Sequence, residues 1–231
     1  MPEAAPQRRE YVRFAFYKVG VEWRRLGAQA RKDAGAEVEN VVNRYAEGMM
    51  IRPYSTVGLR ADTDLCFWTA SHELGSIQDF AGDFAATELG KLSQNTHSFL
   101  SMTKRSIYLD DHRHPGQERL HIRPSKAKYV FVYPFVKTRQ WYLLPKEERQ
   151  RVMDEHIAVG HRYPGVKINT TYSFGLDDQD FVVAFETDEP SDFLDLVMEL
   201  RETEGSVYTV RDTPIFTCVG KPLSAVIADL G

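Results

Sequence analysis

The chain has 231 residues, 42% of them hydrophobic and 27% charged, and a net charge of -4, which suits a globular protein with one large core or two small ones and excludes wholesale disorder. A pI near 6.0 without a broad basic surplus argues against a general nucleic-acid binder, because phosphate neutralisation needs concentrated Lys and Arg. No apolar run approaches the length of a membrane span and "MPEAAPQRRE" lacks the apolar stretch of a signal peptide, so the cytoplasm is the expected compartment.

Apolar periodicity predicts a strand near 11–18, a helix near 33–47, paired strands near 50–58 and 63–70, a helix near 75–90 and a strand near 98–108. The stretch "LDDHRHPGQERLHIRPSKAK", 109–128, then reads as a linker by composition. Its length, net positive charge and three histidines suit the rim of a pocket for an anionic ligand as well as a solvated loop. Beyond it come a strand near 128–136, a helix near 145–162, strands near 166–174 and 180–186, a helix near 191–204 and a strand near 213–219. "GLDDQD" supplies a hairpin turn, and "LPKEER" places Pro145 and acidic residues in a first helical turn, beside its free N–H groups. Cys66 and Cys218 lie in separate apolar runs without the paired spacing of a zinc site, so buried free thiols are expected.

The chain is written twice. "YVRFAFYKVGVEW" at 11–23 answers "YVFVYPFVKTRQW" at 129–141, with Tyr11 and Tyr129, and Trp23 and Trp141, each separated by 118 positions. Each half reads βαββαβ, the ferredoxin-like motif. The expected fold is therefore α+β: tandem ferredoxin-like repeats at 1–108 and 128–231, joined by a loop at 109–127, with antiparallel sheets packed or closed into a barrel and helices outside.

In "RVMDEHIAVGHRY" the helical offsets align His156 with Val152, Val159 and Tyr163. An imidazole facing inward must find a hydrogen-bond partner or bind something. The matching helix of the first half, "RKDAGAEVENVVNRYAEG", has no histidine, so only the second half carries this feature.

The segments "YPFVKTRQWYLLPKEER", the His156 helix, "GLDDQDFVVAFE" and "LRETEGSVYTVRDTPIFTCVGK" resemble, in order and spacing, the chlorite dismutase-like haem proteins, which include coprohaem decarboxylases. The resemblance covers nearly the whole chain. It implies that His156 is the axial iron ligand and that Glu204 is the acidic partner of its other ring nitrogen, with surface charge as the alternative for Glu202 and Glu204. His161, about 140° further round the helix, should be exposed. The distal arginine of true chlorite dismutases falls on Asn169, between Ile168 and Thr170, and none of the three can supply its charge.

The "YP" strand tyrosine, Tyr133, instead matches the actinobacterial branch of the decarboxylases, in which the phenol is oxidised and abstracts hydrogen from a propionate; filling the barrel is its structural alternative. That branch also implies a distal histidine as peroxide-activating base, for which His121 is the candidate and His112 and His114 are competitors. Lys137 matches a propionate-contacting position, and Trp141 and Tyr142 match aromatic residues lining the haem pocket. Arg139, Arg123 and Lys126 are further candidates by proximity in sequence. The implied function is hydrogen-peroxide-dependent conversion of iron-coproporphyrin III to haem b in haem biosynthesis, by a homopentameric ring. The competing classes are a chlorite dismutase or weak peroxidase, a non-catalytic haem-binding protein, and a barrel that binds no porphyrin.

Overall fold

The computed structural model describes residues 8–106, 108 and 120–231. Strand β1 (Tyr11–Val19) leads into a short helix α1 (Val21–Arg25), a long helix α2 (Ala28–Ala46) and the hairpin of β2 (Met50–Ser55) and β3 (Leu65–Ser71). Helices α3 (Leu74–Ala86) and α4 (Glu88–Lys91) precede β4 (Ser93–Met102). The second half runs β5 (Tyr129–Lys137), α5 (Arg139–Leu143), α6 (Lys146–His161), β6 (Lys167–Tyr172), β7 (Phe181–Thr187) and α7 (Pro190–Glu202). It ends with a 3₁₀ turn (Glu204–Tyr208), β8 (Thr209–Arg211), β9 (Phe216–Gly220) and α8 (Leu223–Asp229).

The strand orders β4-β1-β3-β2 and β9-β5-β7-β6 are the same ferredoxin-like order, written once in each half. They join edge to edge, β4 to β6 and β2 to β9, and so close an eight-stranded antiparallel barrel with β8 added beside β5. The seams are thin: Met102 opposite Tyr172 on one side, and Tyr54 opposite Gly220 with Ser55 opposite Val219 on the other. Closure covers the inner face of β3, and α2 and α3 cover its outer face, which is why "LCFWTAS" is buried at every position despite lacking polar alternation.

Three apolar clusters follow from this arrangement. Val12, Phe14, Phe16, Trp68, Val132, Ala184 and Phe216 fill the barrel. Ala15, Tyr17 and Phe67 pack outward against Val38 and Val41 of α2 and Phe80 and Phe84 of α3, joined by Val226 and Leu230 of the C-terminal end, so α8 returns to the first half. Phe131, Tyr133, Val183 and Phe185 pack outward towards Val159 of α6 and Phe193 and Leu196 of α7. Cys66 and Cys218 are free thiols inside the barrel.

Two predicted boundaries move for local reasons. The helix expected near 75–90 breaks at Thr87, whose Oγ1 accepts from the Gly90 N–H at 3.0 Å and caps α4. The strand expected near 98–108 begins instead at Ser93, because "SQNTHS" pairs along β1 without apolar alternation to announce it. The break at Thr87 also folds Gly90 onto Phe84, so a Cβ at position 90 would lie 1.9 Å from the Phe84 carbonyl oxygen. Gly90→Ala should therefore cost about 3 kcal/mol or more, read as a lowered midpoint in chemical denaturation.

Residues 120–128 cross one end of the barrel, where Ile122 packs against the interior cluster. They are anchored on Glu186, which is 1% exposed. Its carboxylate accepts from the Ser125 N–H at 2.5 Å, the Ser125 hydroxyl at 2.7 Å and Asn169 Nδ2 at 2.8 Å, and pairs with Lys167 Nζ at 3.0 Å. Lys167 also donates to the Arg123 carbonyl. Glu186→Ala would strand these donors together with a half-buried ammonium, and a loss of about 3 kcal/mol of unfolding free energy is the expected result.

Candidate active site

The outer face of β5-β7-β6 is set by register. Tyr133 stands opposite Val183 and Val183 opposite Thr170, while Phe135, Phe181 and Tyr172 form the next row of the same parity. Tyr172, Phe174 and Phe181 meet with centroids 5.1 to 6.5 Å apart, and Tyr142 adds an edge to Phe174 at 5.6 Å. This aromatic wall remains partly open, with Phe174 48% and Ile168 40% exposed.

Helix α6 lies over that face in an unusual way. The backbones of α2, α3 and α7 each approach a strand, whereas α6 keeps company mainly with α7 and the 3₁₀ turn. Only Val152 and Val159 of its sixteen residues are buried, so an otherwise polar helix presents one narrow inward stripe. His156 lies on that stripe. Its ring has no hydrogen-bond partner among the described residues, and burial, with Lys137 nearby, pushes its pKa down to about 4. The imidazole is therefore neutral at ordinary pH, with a lone pair to offer, which is the state a metal ligand needs.

Lys137 ends β5 beside it. Its Nζ donates to the Gly205 carbonyl at 2.8 Å and lies 4.7 Å from the centre of the Trp141 ring and 5.3 Å from that of Phe135, while burial brings its pKa down to about 8. Trp141 is positioned by Thr138, whose hydroxyl accepts from its N–H at 3.2 Å, and its ring approaches Tyr208 at 5.4 Å. Tyr142 donates to Asp180 at 2.8 Å; burial first, then that hydrogen bond, raises its pKa. Tyr133 is 8% exposed and stacks on Phe185 at 5.8 Å, and its hydroxyl has no hydrogen-bond partner among the described residues. Burial raises its pKa, with Asp212 adding and Arg201 opposing.

A family model described as chlorite dismutase matches residues 31–221. The chain belongs to the chlorite dismutase family. Within that family it is 35% identical over 178 residues to the coproheme decarboxylase of Mycolicibacterium smegmatis, covering 74% of this chain and 73% of the relative. It is 28% identical over 206 residues to the chlorite dismutase of Ideonella dechloratans, covering 87% and 72%. A structure of a chlorite dismutase mutant from Candidatus Nitrospira defluvii superposes with a TM-score of 0.87 at 26% identity, over 95% of this chain and 94% of that one. A heme-binding protein from Thermus thermophilus gives 0.86 at 26% identity, over 96% and 95%. These relatives make this an oxidoreductase-type haem-family barrel, and no described helix is long and apolar enough to cross a membrane.

The structure gathers Tyr133, Lys137, Trp141, Tyr142 and His156 on one side of the second half of the family barrel, while the hydrogen bonds of three other candidates run elsewhere. Asn169 pairs with Ala184, whose parity is that of the barrel interior, and its amide donates to Glu186; the outward positions of β6 are Ile168, Thr170 and Tyr172. Counting thirteen residues from His156 lands one residue off the face, and in a strand that reverses the side. Glu204 is held by Arg151, both carboxylate oxygens at 2.8 Å, and its N–H donates to Glu155 at 3.1 Å, so its hydrogen bonds go to the surface of α6 and not to His156. His121 is turned to Glu10 and His72 of the first half, because Glu10 fixes the loop through the Ile122 N–H at 2.5 Å. His112 and His114 lie outside the described residues, and His161 is exposed, as expected.

One residue escaped the sequence reading. Arg149 sits three and seven residues before Val152 and His156, on the same stripe of α6, and its Nε is buried without a hydrogen-bond partner among the described residues. The offsets alone could have singled it out.

Proposed function

We propose that the chain is a peroxide-dependent coprohaem decarboxylase, binding iron-coproporphyrin III between α6 and the β5-β7-β6 face and converting two propionates to vinyl groups to give haem b. The observation that carries the reading is Tyr133: an unpartnered phenol on the face towards which the inward stripe of α6, with His156, is turned. The residues fit the porphyrin. A neutral, unpartnered imidazole supports iron ligation by His156, the aromatic wall and Trp141 supply apolar cover, and the orphaned Arg149 Nε suits a carboxylate.

Bound there, the iron would draw oxidising equivalents from hydrogen peroxide. Tyr133 would give up a proton and an electron together and, as the phenoxyl, take one hydrogen atom from the propionate, the second oxidising equivalent of the peroxide removing the remaining electron as carbon dioxide leaves; its raised pKa, which keeps the phenol protonated, favours the role. Lys137, protonated in the main below pH 8, and Arg149 hold propionate charge. Chlorite chemistry is disfavoured because Ile168, Thr170 and Tyr172 offer no mobile cation on the outward side of β6.

The test is to add iron-coproporphyrin III to the purified chain, titrate with hydrogen peroxide and follow porphyrin mass with the absorption spectrum. Stepwise loss of two carboxyl groups supports the decarboxylase. Tight binding with bleaching and no loss of mass overturns it in favour of a haem-binding protein.

A further inference from the structure

Away from the proposed porphyrin site, Glu10, His72 and His121 meet at the end of the barrel formed by the first half, and their ligating atoms all lie within 4.8 Å of one another. Three separate pieces of backbone bring them there. Tyr11 is opposite Ser71 in the β1–β3 pairing, so the next antiparallel step sets Glu10 beside His72. His121 arrives from the loop, whose neighbours are pinned on both sides: the Leu120 carbonyl accepts from Thr103 Oγ1 at 2.8 Å, and the Ile122 N–H donates to Glu10 Oε2 at 2.5 Å.

The polar atoms are arranged for a cation. His72 Nδ1 is 3.0 Å from the Arg9 carbonyl, which can only accept, so Nδ1 carries the proton and Nε2 keeps its lone pair. The Glu10 side chain is 15% exposed, and among the described residues it has no Lys or Arg partner. Its Oε1 is 3.4 Å from His121 Nδ1, long for a hydrogen bond. It matches the edge of about 3.3 Å that two ligands make on a tetrahedral ion with bonds near 2.05 Å.

We propose that Glu10, His72 and His121 form a divalent transition-metal site of the zinc type. Two imidazoles and one carboxylate are the donors such an ion selects, whereas magnesium and calcium prefer all-oxygen sets. Water takes the fourth position. The ion ties the residues following the 109–119 stretch to the start of β1 and the end of β3, linking parts of the chain 111 residues apart. His121 thereby serves as a structural ligand and not as the base of the porphyrin chemistry.

The test uses the full chain, freed of any affinity tag and of metal, titrated with Zn²⁺ in a calorimeter and with Co²⁺ in a spectrophotometer. The expected result is one Zn²⁺ per chain with micromolar or tighter affinity, and a visible cobalt band of low-coordinate, histidine-bound ion. Glu10→Gln, His72→Ala and His121→Ala should each weaken zinc binding roughly tenfold or more, and His161→Ala should not. Thermal unfolding of the metal-free variants separates loss of a ligand from loss of fold, and the cobalt band of the parent chain stands without any variant. No zinc bound by the parent chain, or affinity unchanged in any of the three ligand variants, overturns the site.

Discussion

Tyr133→Phe should abolish vinyl formation from iron-coproporphyrin III while leaving porphyrin affinity and protein stability unchanged. The separation is possible because the ring and the hydroxyl do different things. The ring stacks on Phe185 at 5.8 Å with its plane tilted 12°, and phenylalanine keeps that contact. The hydroxyl has no hydrogen bond among the described residues to lose, so its removal should change unfolding free energy by no more than about 0.5 kcal/mol. If the phenol is the group that gives up hydrogen, the rate of the first decarboxylation should fall by about 10³-fold or more, equivalent to about 4 kcal/mol of barrier. Single-turnover reaction with peroxide, followed by porphyrin mass, reads this directly. Conversion at the parent rate would remove Tyr133 from the chemistry.

His156→Ala should lower the affinity for iron porphyrin by about 10²-fold, seen as a weakened and shifted Soret band on titration. The same substitution should change the acid stability of the porphyrin-free chain. His156 has a pKa of about 4 when folded, below its ordinary 6.5, so between those values the unfolded chain binds the extra proton and stability falls as pH falls. At pH 5 the parent should have lost about 2 kcal/mol from this group relative to pH 8, and the alanine variant should lack that part of the loss. Denaturant midpoints at the two pH values test it. Parallel pH profiles would show that the ring is solvated and free to ionise.

The fold was readable because it is stated twice. Two copies of one apolar pattern, 118 positions apart, fix the element order, and the ferredoxin-like strand order follows. The C-terminal helix and β8 were not announced: Leu223–Asp229 is one short apolar stretch whose role, sealing the first half with Val226 and Leu230, depends on a return across the barrel that no local signal records. At the site, a helix proved easier to read than strands or loops. His156 could be placed from helical offsets because period 3.6 tolerates an error of a residue at the edges of a face. Asn169 could not, since an error of one residue in a strand exchanges pocket for interior. The hydrogen bonds of Glu204 and His121 were not readable, because their partners, Arg151 and Glu10, are 53 and 111 residues away and a side chain's choice among distant partners leaves no periodicity.

The two seams of the barrel carry a last consequence. A ring of strands is mechanically as strong as its least-bonded junctions, and here those are the one residue pair between β4 and β6 and the two between β2 and β9. Amide exchange should therefore be fastest around Tyr172 and Gly220 and slowest along β1–β3 and β5–β7, where seven pairs run without interruption. The proposed porphyrin face belongs to β5-β7-β6, whose β6 edge is itself one of the seams. Breathing at the seams would open the interior to water while the β5–β7 pairing that carries Tyr133 stays intact, and only the Tyr172 edge of the aromatic wall would move with a seam.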